Sequence, residues 1–288
     1  MHSIAILGAG DLAATLARRV AEQEIARRVV LVDADESRAR GKALDIAQSA
    51  PVEGFDVQLE GVGSLAAAGA FDALLVADPP ELEDPRLPPG RASALGESLV
   101  PAAGKGLLIV AAAAAATTLI EAAVRKGMSR ERVVGSAPLA YASALRRRLA
   151  TEMQVEPRAV SALLLGLPPD HLVAPHGGAC LGGIPVDQLS PVALRRAVAG
   201  LAGRTLGPVA LAAAAARVLR ALQGSRASVL SVFAHLQGEY GHRGVTLAVP
   251  ARLAAGRVQS VIELPLDPVD RVAFDSAAQR RLQEAYWA

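Results

Sequence analysis

The chain has 288 residues, is 52% hydrophobic but only 3% aromatic, and carries a net charge of +2 from 30 basic and 28 acidic side chains. This composition argues against a disordered chain and allows one large α/β unit or two lobes over a sizeable core. Near-balanced charge, with the short basic run Arg146 to Arg148 lacking aromatic neighbours, argues against nucleic-acid binding; that run reads as a solvated helix face. No apolar stretch reaches the roughly 20 residues of a membrane span. The single cysteine, Cys180, permits no internal disulfide and fits a reducing, cytoplasmic setting.

In chain order, the opening MHSIAILGAG lacks a leader pattern and runs straight into a strand ending in glycine. DLAATLARRVAEQ follows with helical apolar spacing, then the β-branched strand VVLVDAD, the helix SRARGKALDIAQSA, and strands in FDVQLEG and FDALLVAD. PPELEDPRLPPGR, residues 79–91, has five prolines and reads as a loop. The run from Leu107 to Ile120 reads as a buried strand, a loop and the start of a helix, and ERVVGSA supplies a further strand. Apolar strands alternating with helices predict a parallel sheet covered on both faces. Beyond about residue 140 the pattern changes. A long helical stretch is predicted from Pro191 to Leu222, then a hairpin in GVTLAVPARLAAGRVQSVIEL and a polar C-terminal helix. The predicted organisation is a Rossmann-type dinucleotide-binding lobe over 1–140 and an α+β, mostly antiparallel lobe over 141–288.

The clearest chemical motif is ILGAGDLAA followed by VVLVDAD. Gly8 and Gly10 occupy the first two glycine positions of a G-x-G-x-x-G/A fingerprint, with Ala13 third. Gly8 permits the tight turn, and Gly10 lets the backbone approach a pyrophosphate. The turn Gly8, Ala9, Gly10, Asp11 and Leu12 then presents unpaired N–H groups and the positive dipole end of a helix. Asp33 has the spacing of an acid that accepts from the adenosine ribose hydroxyls, and its charge favours NAD over NADP. The other reading is a Rossmann lobe that keeps its glycines for folding alone.

Residues 41–59 (GKALDIAQSAPVEGFDVQL), 131–135, 182–189 (GGIPVDQL) and 233–266 closely resemble, collinearly over almost the whole chain, the lactate/malate dehydrogenases, the malate type above all. The resemblance implies a Rossmann-type parallel-sheet lobe followed by an α+β lobe, NAD, and hydride transfer to and from a 2-hydroxy acid in the cleft between them. It also implies a homo-oligomer, dimer or tetramer, with the 41–51 helix at a subunit interface. That chemistry needs a histidine base, an aspartate orienting it, an arginine clamping the carboxylate, a second arginine on a mobile loop, and an asparagine beside the nicotinamide. Carried over motif by motif, the asparagine falls on Ala113, the aspartate on Tyr141, the clamping arginine on Ala144 and the histidine on Pro168. The arginine loop reads Glu83, Asp84, Pro85, Arg86, Leu87, Pro88, Pro89.

Among the remaining residues, His171 is the leading candidate base, three positions after the lost histidine; the blander reading is a loop histidine. His176 is a weaker candidate, Cys180 reads as an inert thiol, His235 and His242 as surface residues, and Tyr141 as filler of vacated volume. No His, Cys or acidic grouping has metal-ligand spacing. Three readings stay open. The main one is a catalytically inactive oligomer, NAD-responsive or nucleotide-free, serving as a scaffold or protein partner. The second is an NAD-dependent oxidoreductase on a changed, less acidic substrate with His171 as base. The third is an active malate dehydrogenase whose motifs align otherwise.

Overall fold

The computed structural model describes residues 1–83 and 89–286. The first half runs β1 (Ser3–Gly8), α1 (Asp11–Glu22), β2 (Arg28–Val32), α2 (Glu36–Glu53), β3 (Gln58–Val62), β4 (Ala73–Asp78), the single turn α3 (Pro80–Glu83), α4 (Pro89–Ala103), β5 (Leu107–Val110), α5 (Ala116–Arg125) and β6 (Val133–Gly135). The six strands form a parallel sheet in the order β3-β2-β1-β4-β5-β6. Their middles are apolar on both sides, so Ile4 to Ile6, Leu74 to Val76 and Leu108 to Val110 are fully buried under flanking helices.

The second half runs α6 (Ala137–Glu152), β7 (Val160–Ala162), β8 (Leu165–Leu167), β9 (His171–Val173), β10 (Ala179–Leu181), β11 (Ile184–Pro185), α7 (Val186–Leu189), α8 (Pro191–Ala199), α9 (Pro208–Gln223), β12 (Ser228–Gln237), β13 (Arg243–Ala254), β14 (Arg257–Val261) and α10 (Pro268–Tyr286). All its strand pairs are antiparallel. β12, β13, β8 and β9 extend the main sheet past β6, through Phe233 opposite Gly135, while β11, β10 and β7 form a separate small sheet. The α/β class with a Rossmann-type parallel sheet is as the sequence predicts.

Two expectations are corrected. The helical stretch from Pro191 to Leu222 is two helices, broken where Gly200, Gly203 and Gly207 interrupt the pattern and Pro208 opens α9. The proline-rich segment is not all loop: α3 supplies one turn and α4 starts at Pro89, although residues 84–88, and with them most of the expected arginine loop, lie outside the described residues.

α9 turns back onto the first lobe. It buries Leu211, Leu219 and Leu222 along with Ala212 and Ala214 to Ala216, packs against α1, and Gln223 Nε2 donates to the Ile25 carbonyl at 2.6 Å. The run Arg146 to Arg148 is more than a solvated face. Arg146 Nε donates to the Val160 carbonyl and Arg148 Nε to that of Ala197, tying α6 to its neighbours.

The two-residue connection of β13 and β14 places both Ala255 and Gly256 at positive φ, +50° and +72°. An alanine in the left-handed region is strained, and Asn-Gly is the favoured pair for such a hairpin. Ala255→Asn is expected to raise stability by about 1 kcal/mol, read as a higher urea midpoint at unchanged slope; an unchanged or lower midpoint would refute the assignment of strain there.

Candidate functional site

Strand order reverses between β1 and β4, where open α/β sheets place their ligand crevice. Gly8 sits here at φ +110°, and Gly10 is the extended N-cap of α1 with no side chain of its own to cap it. Ala9 and Leu12 are buried and Asp11 is exposed. Asp33 follows Val32, the β2 partner of Gly8, and is only 3% exposed. Its Oδ1 accepts from the Asp35 N–H at 2.9 Å, while its buried Oδ2 has no partner. An orphaned buried acceptor at the end of β2 fits a ribose hydroxyl donor. Gly8, Ala9, Gly10, Asp11, Leu12 and Asp33 are thus gathered on one edge of the sheet.

Sequence reasoning missed the residue that dominates this turn. Asp78, opposite Gly8 at the end of β4, places its carboxylate against the amino end of α1. Oδ2 accepts from the Leu12 N–H at 2.8 Å, Oδ1 accepts from the Gly10 N–H at 3.2 Å, and the Ala13 N–H reaches both oxygens at 3.3 and 3.4 Å. A Cβ at Gly10 would collide with this carboxylate, and one at Gly8 would lie 2.6 Å from Oδ1. These are the donors that the fingerprint offers to a pyrophosphate. The ribose end therefore fits NAD as built, whereas the pyrophosphate end fits it only with the Asp78 side chain turned away. Two like charges held about 4 Å apart at an effective dielectric near 20 repel by about 4 kcal/mol. A signal was available in the sequence: FDALLVAD closes a strand of this edge on an acid.

On the same edge of the sheet, past the end of β5, lies a cavity of about 370 Å³. Ala113 to Ala115 and Thr117 line one wall, the β8–β9 connection (Leu167 to His171, with a cis Pro168–Pro169 bond) lines another, and Phe233, Arg280 and Glu284 complete it. His171 therefore lines this cavity, and so do Ala113 and Pro168, the residues onto which the resemblance carries the family's asparagine and histidine. Arg280 and Glu284 were unforeseen; Arg280 Nε donates to Glu284 Oε1 at 3.2 Å.

Tyr141 is buried, and its hydroxyl donates to the Arg204 carbonyl at 2.9 Å. Burial, and secondarily the Asp170 charge, raise its pKa above the ordinary phenol value. Ala144 lines a different hollow, between α6 and α9. His176 Nδ1 pairs with Asp187 at 2.6 Å, and Cys180 sits on β10 in the small sheet. The surface expectation fails for His235, which is 7% exposed: β12 pairs it with Thr246, whose Oγ1 lies 3.2 Å from Nδ1, and burial lowers its pKa. His242 is half-buried and paired with Asp275 at 2.7 Å. Among the described residues no group of His, Cys, Asp or Glu could hold a metal, and no helix is long and apolar enough to cross a membrane.

The glycine turn at the strand-order reversal and the buried acid after β2 are features of an α/β fold of the Rossmann type. A sequence model of the lactate/malate dehydrogenase NAD-binding domain matches residues 2–81. The malate dehydrogenase of Thioalkalivibrio sulfidiphilus is 32% identical, over 96% of this chain and 96% of its own. That of Chloroherpeton thalassium is 29% identical over 96% and 94%. The malate dehydrogenase structure from Salinibacter ruber superposes with a TM-score of 0.87 at 28% identity, covering 99% of this chain and 97% of that one. The protein belongs to the lactate/malate dehydrogenase family.

The C-terminal helix is fixed to the cleft by a buried ion pair. Arg281 Nη2 and Nε donate to the two carboxylate oxygens of Glu121 at 2.6 and 3.1 Å, Nη2 also reaches Thr118 Oγ1, and the Thr246 N–H donates to Glu121 Oε1 at 2.9 Å. The pair's side chains are only 5% and 11% exposed. Removing one partner strands a buried charge. Arg281→Ala or Glu121→Ala is therefore expected to cost about 3–5 kcal/mol, and Glu121→Leu with Arg281→Met distinctly less than either single change. Equilibrium unfolding of the cycle checks this; single costs below about 1 kcal/mol would mean the pair behaves as a surface contact.

Proposed function

We propose that the protein is an NAD-linked oxidoreductase of this family whose cleft has moved from a dicarboxylic acid to a smaller or less acidic hydroxyl substrate. One observation carries the reading: His171, the stronger base candidate of the sequence, lines a cavity of about 370 Å³ together with Ala113 to Ala115, the residues that follow β5. NAD, when bound by the Gly8–Leu12 turn and Asp33, supplies the acceptor for the substrate's carbon-bound hydrogen. A ring nitrogen of His171 takes the hydroxyl proton. Phe233, Leu167 and the two prolines exclude water, and Arg280 offers one cation. Because Asp170 and Glu284 also line this space, a substrate with two carboxylates meets more repulsion than attraction.

The test is turnover of a panel of secondary alcohols and 2-hydroxy acids, followed as NADH absorbance. A less acidic substrate is expected to be oxidised and malate poorly or not at all. His171→Gln is expected to lower kcat by about 100-fold or more with little change in KM. Unchanged kcat in that variant would remove His171 from the mechanism, and malate as the best substrate would overturn the proposed change of specificity.

A second reading, a non-catalytic scaffold or partner of another protein, is favoured by the Asp78 carboxylate in the phosphate cradle and by Ala113, Tyr141, Ala144 and Pro168 at the positions of the family's polar groups. Under either reading we infer a cytoplasmic homo-oligomer joined through α2, which carries Leu44 and Val52 at 59% and 89% exposure. Light scattering is expected to show a dimer or tetramer that Leu44→Lys dissociates; a monomer at micromolar concentration would refute this.

A further inference from the structure

We propose that Asp78 is a built-in occupant of the pyrophosphate cradle: the chain closes its own dinucleotide site, and a dinucleotide enters only when this carboxylate leaves the amino end of α1. The inference deepens the oxidoreductase reading above and rests on it.

The argument begins with what α1 lacks. Its N-cap is Gly10, which has no side chain, so the first N–H groups must find an acceptor elsewhere. Asp78 supplies that acceptor from 65 to 68 residues away in sequence, using both oxygens on three donors of the turn, the N–H groups of Gly10, Leu12 and Ala13. A serine or aspartate at position 10 would satisfy the same donors locally. Glycine at that position leaves the cradle open to an outside anion, and Asp78 then fills it from within.

The ribose end is not closed. Asp33, on the neighbouring strand end, keeps a buried Oδ2 with no partner. The site is thus still equipped for a nucleoside at one end and occupied at the other. Asp78 and a pyrophosphate cannot use the same N–H groups together, because both are acceptors and both are negative. Each excludes the other, and the equilibrium between them sets the dinucleotide affinity.

The test uses the full chain, wild type against Asp78→Asn and Asp78→Ala, with inorganic pyrophosphate and NADH as probes. Calorimetry reads affinity, and thermal unfolding reads stabilisation by each probe. Without ligand, Asp78→Ala is expected to melt lower because α1 loses its acceptor; Asp78→Asn keeps the shape and removes the charge, so one of the two remains measurable if the other folds badly. Both are expected to bind pyrophosphate and NADH about tenfold or more tightly than wild type. Adding Asp33→Ala is expected to weaken NADH without weakening pyrophosphate. Equal affinities in all forms, or folded variants that bind neither probe, would overturn the proposal and reduce Asp78 to a helix cap. If pyrophosphate enters the variants and NADH does not, the closure of the cradle stands and the oxidoreductase reading falls. If NADH binds wild type and variants equally, the closure falls and that reading stands.

Discussion

Parallel strands joined by right-handed crossovers all end on the same edge of their sheet, and the position of every residue in this site follows from that geometry. Gly8 ends β1, Asp33 follows β2, Asp78 ends β4 and Ala113 follows β5, so residues spread over more than a hundred positions meet along one line. The reversal of strand order between β1 and β4 opens the crevice. Because β4 lies directly beside β1, an acid at its last position reaches the N–H groups at the start of α1, at the point where the register of the pair shifts between Leu7 and Gly8. One carboxylate at that position changes the character of the whole edge.

The other wall of the cleft depends on tertiary anchoring. Polar residues predominate in α10, and it owes its place to Phe274 and Ala278 in the core and to Arg281 locked onto Glu121 of α5. With Arg281 turned inward, its neighbour Arg280 is carried round the helix to the cavity, and Glu284 one turn later pairs with it. For a buried bidentate pair of this kind the cost of desolvating two charges offsets much of their attraction.

Much of the architecture was legible in the sequence because it is written locally. The glycine fingerprint, the β-branched strands and the acid after β2 each declare themselves within a dozen residues, and the C-terminal hairpin shows its alternation. The break at 200–207 was legible in principle, since three glycines and a proline mark it, but the alanine-rich pattern on either side masked it. Asp78, Arg280 and Glu284 were not found, because their role comes from partners far away in sequence. His235 was misread because the turn that follows it is polar, whereas β12 itself is an interior strand whose alternation points this ring toward Thr246.

The main sheet does not stop at β6. It continues through Phe233 opposite Gly135 into β12 and β13, and α9 of the second half lies packed along α1 of the first. A two-lobed enzyme often admits and releases ligand by swinging its lobes about a hinge. Such a swing here would have to shear the contact between α1 and α9 and part the β6–β12 pair. An opening that kept these contacts would rest on rotamer changes and short loops, whose motions are faster and more local than the swing of a lobe.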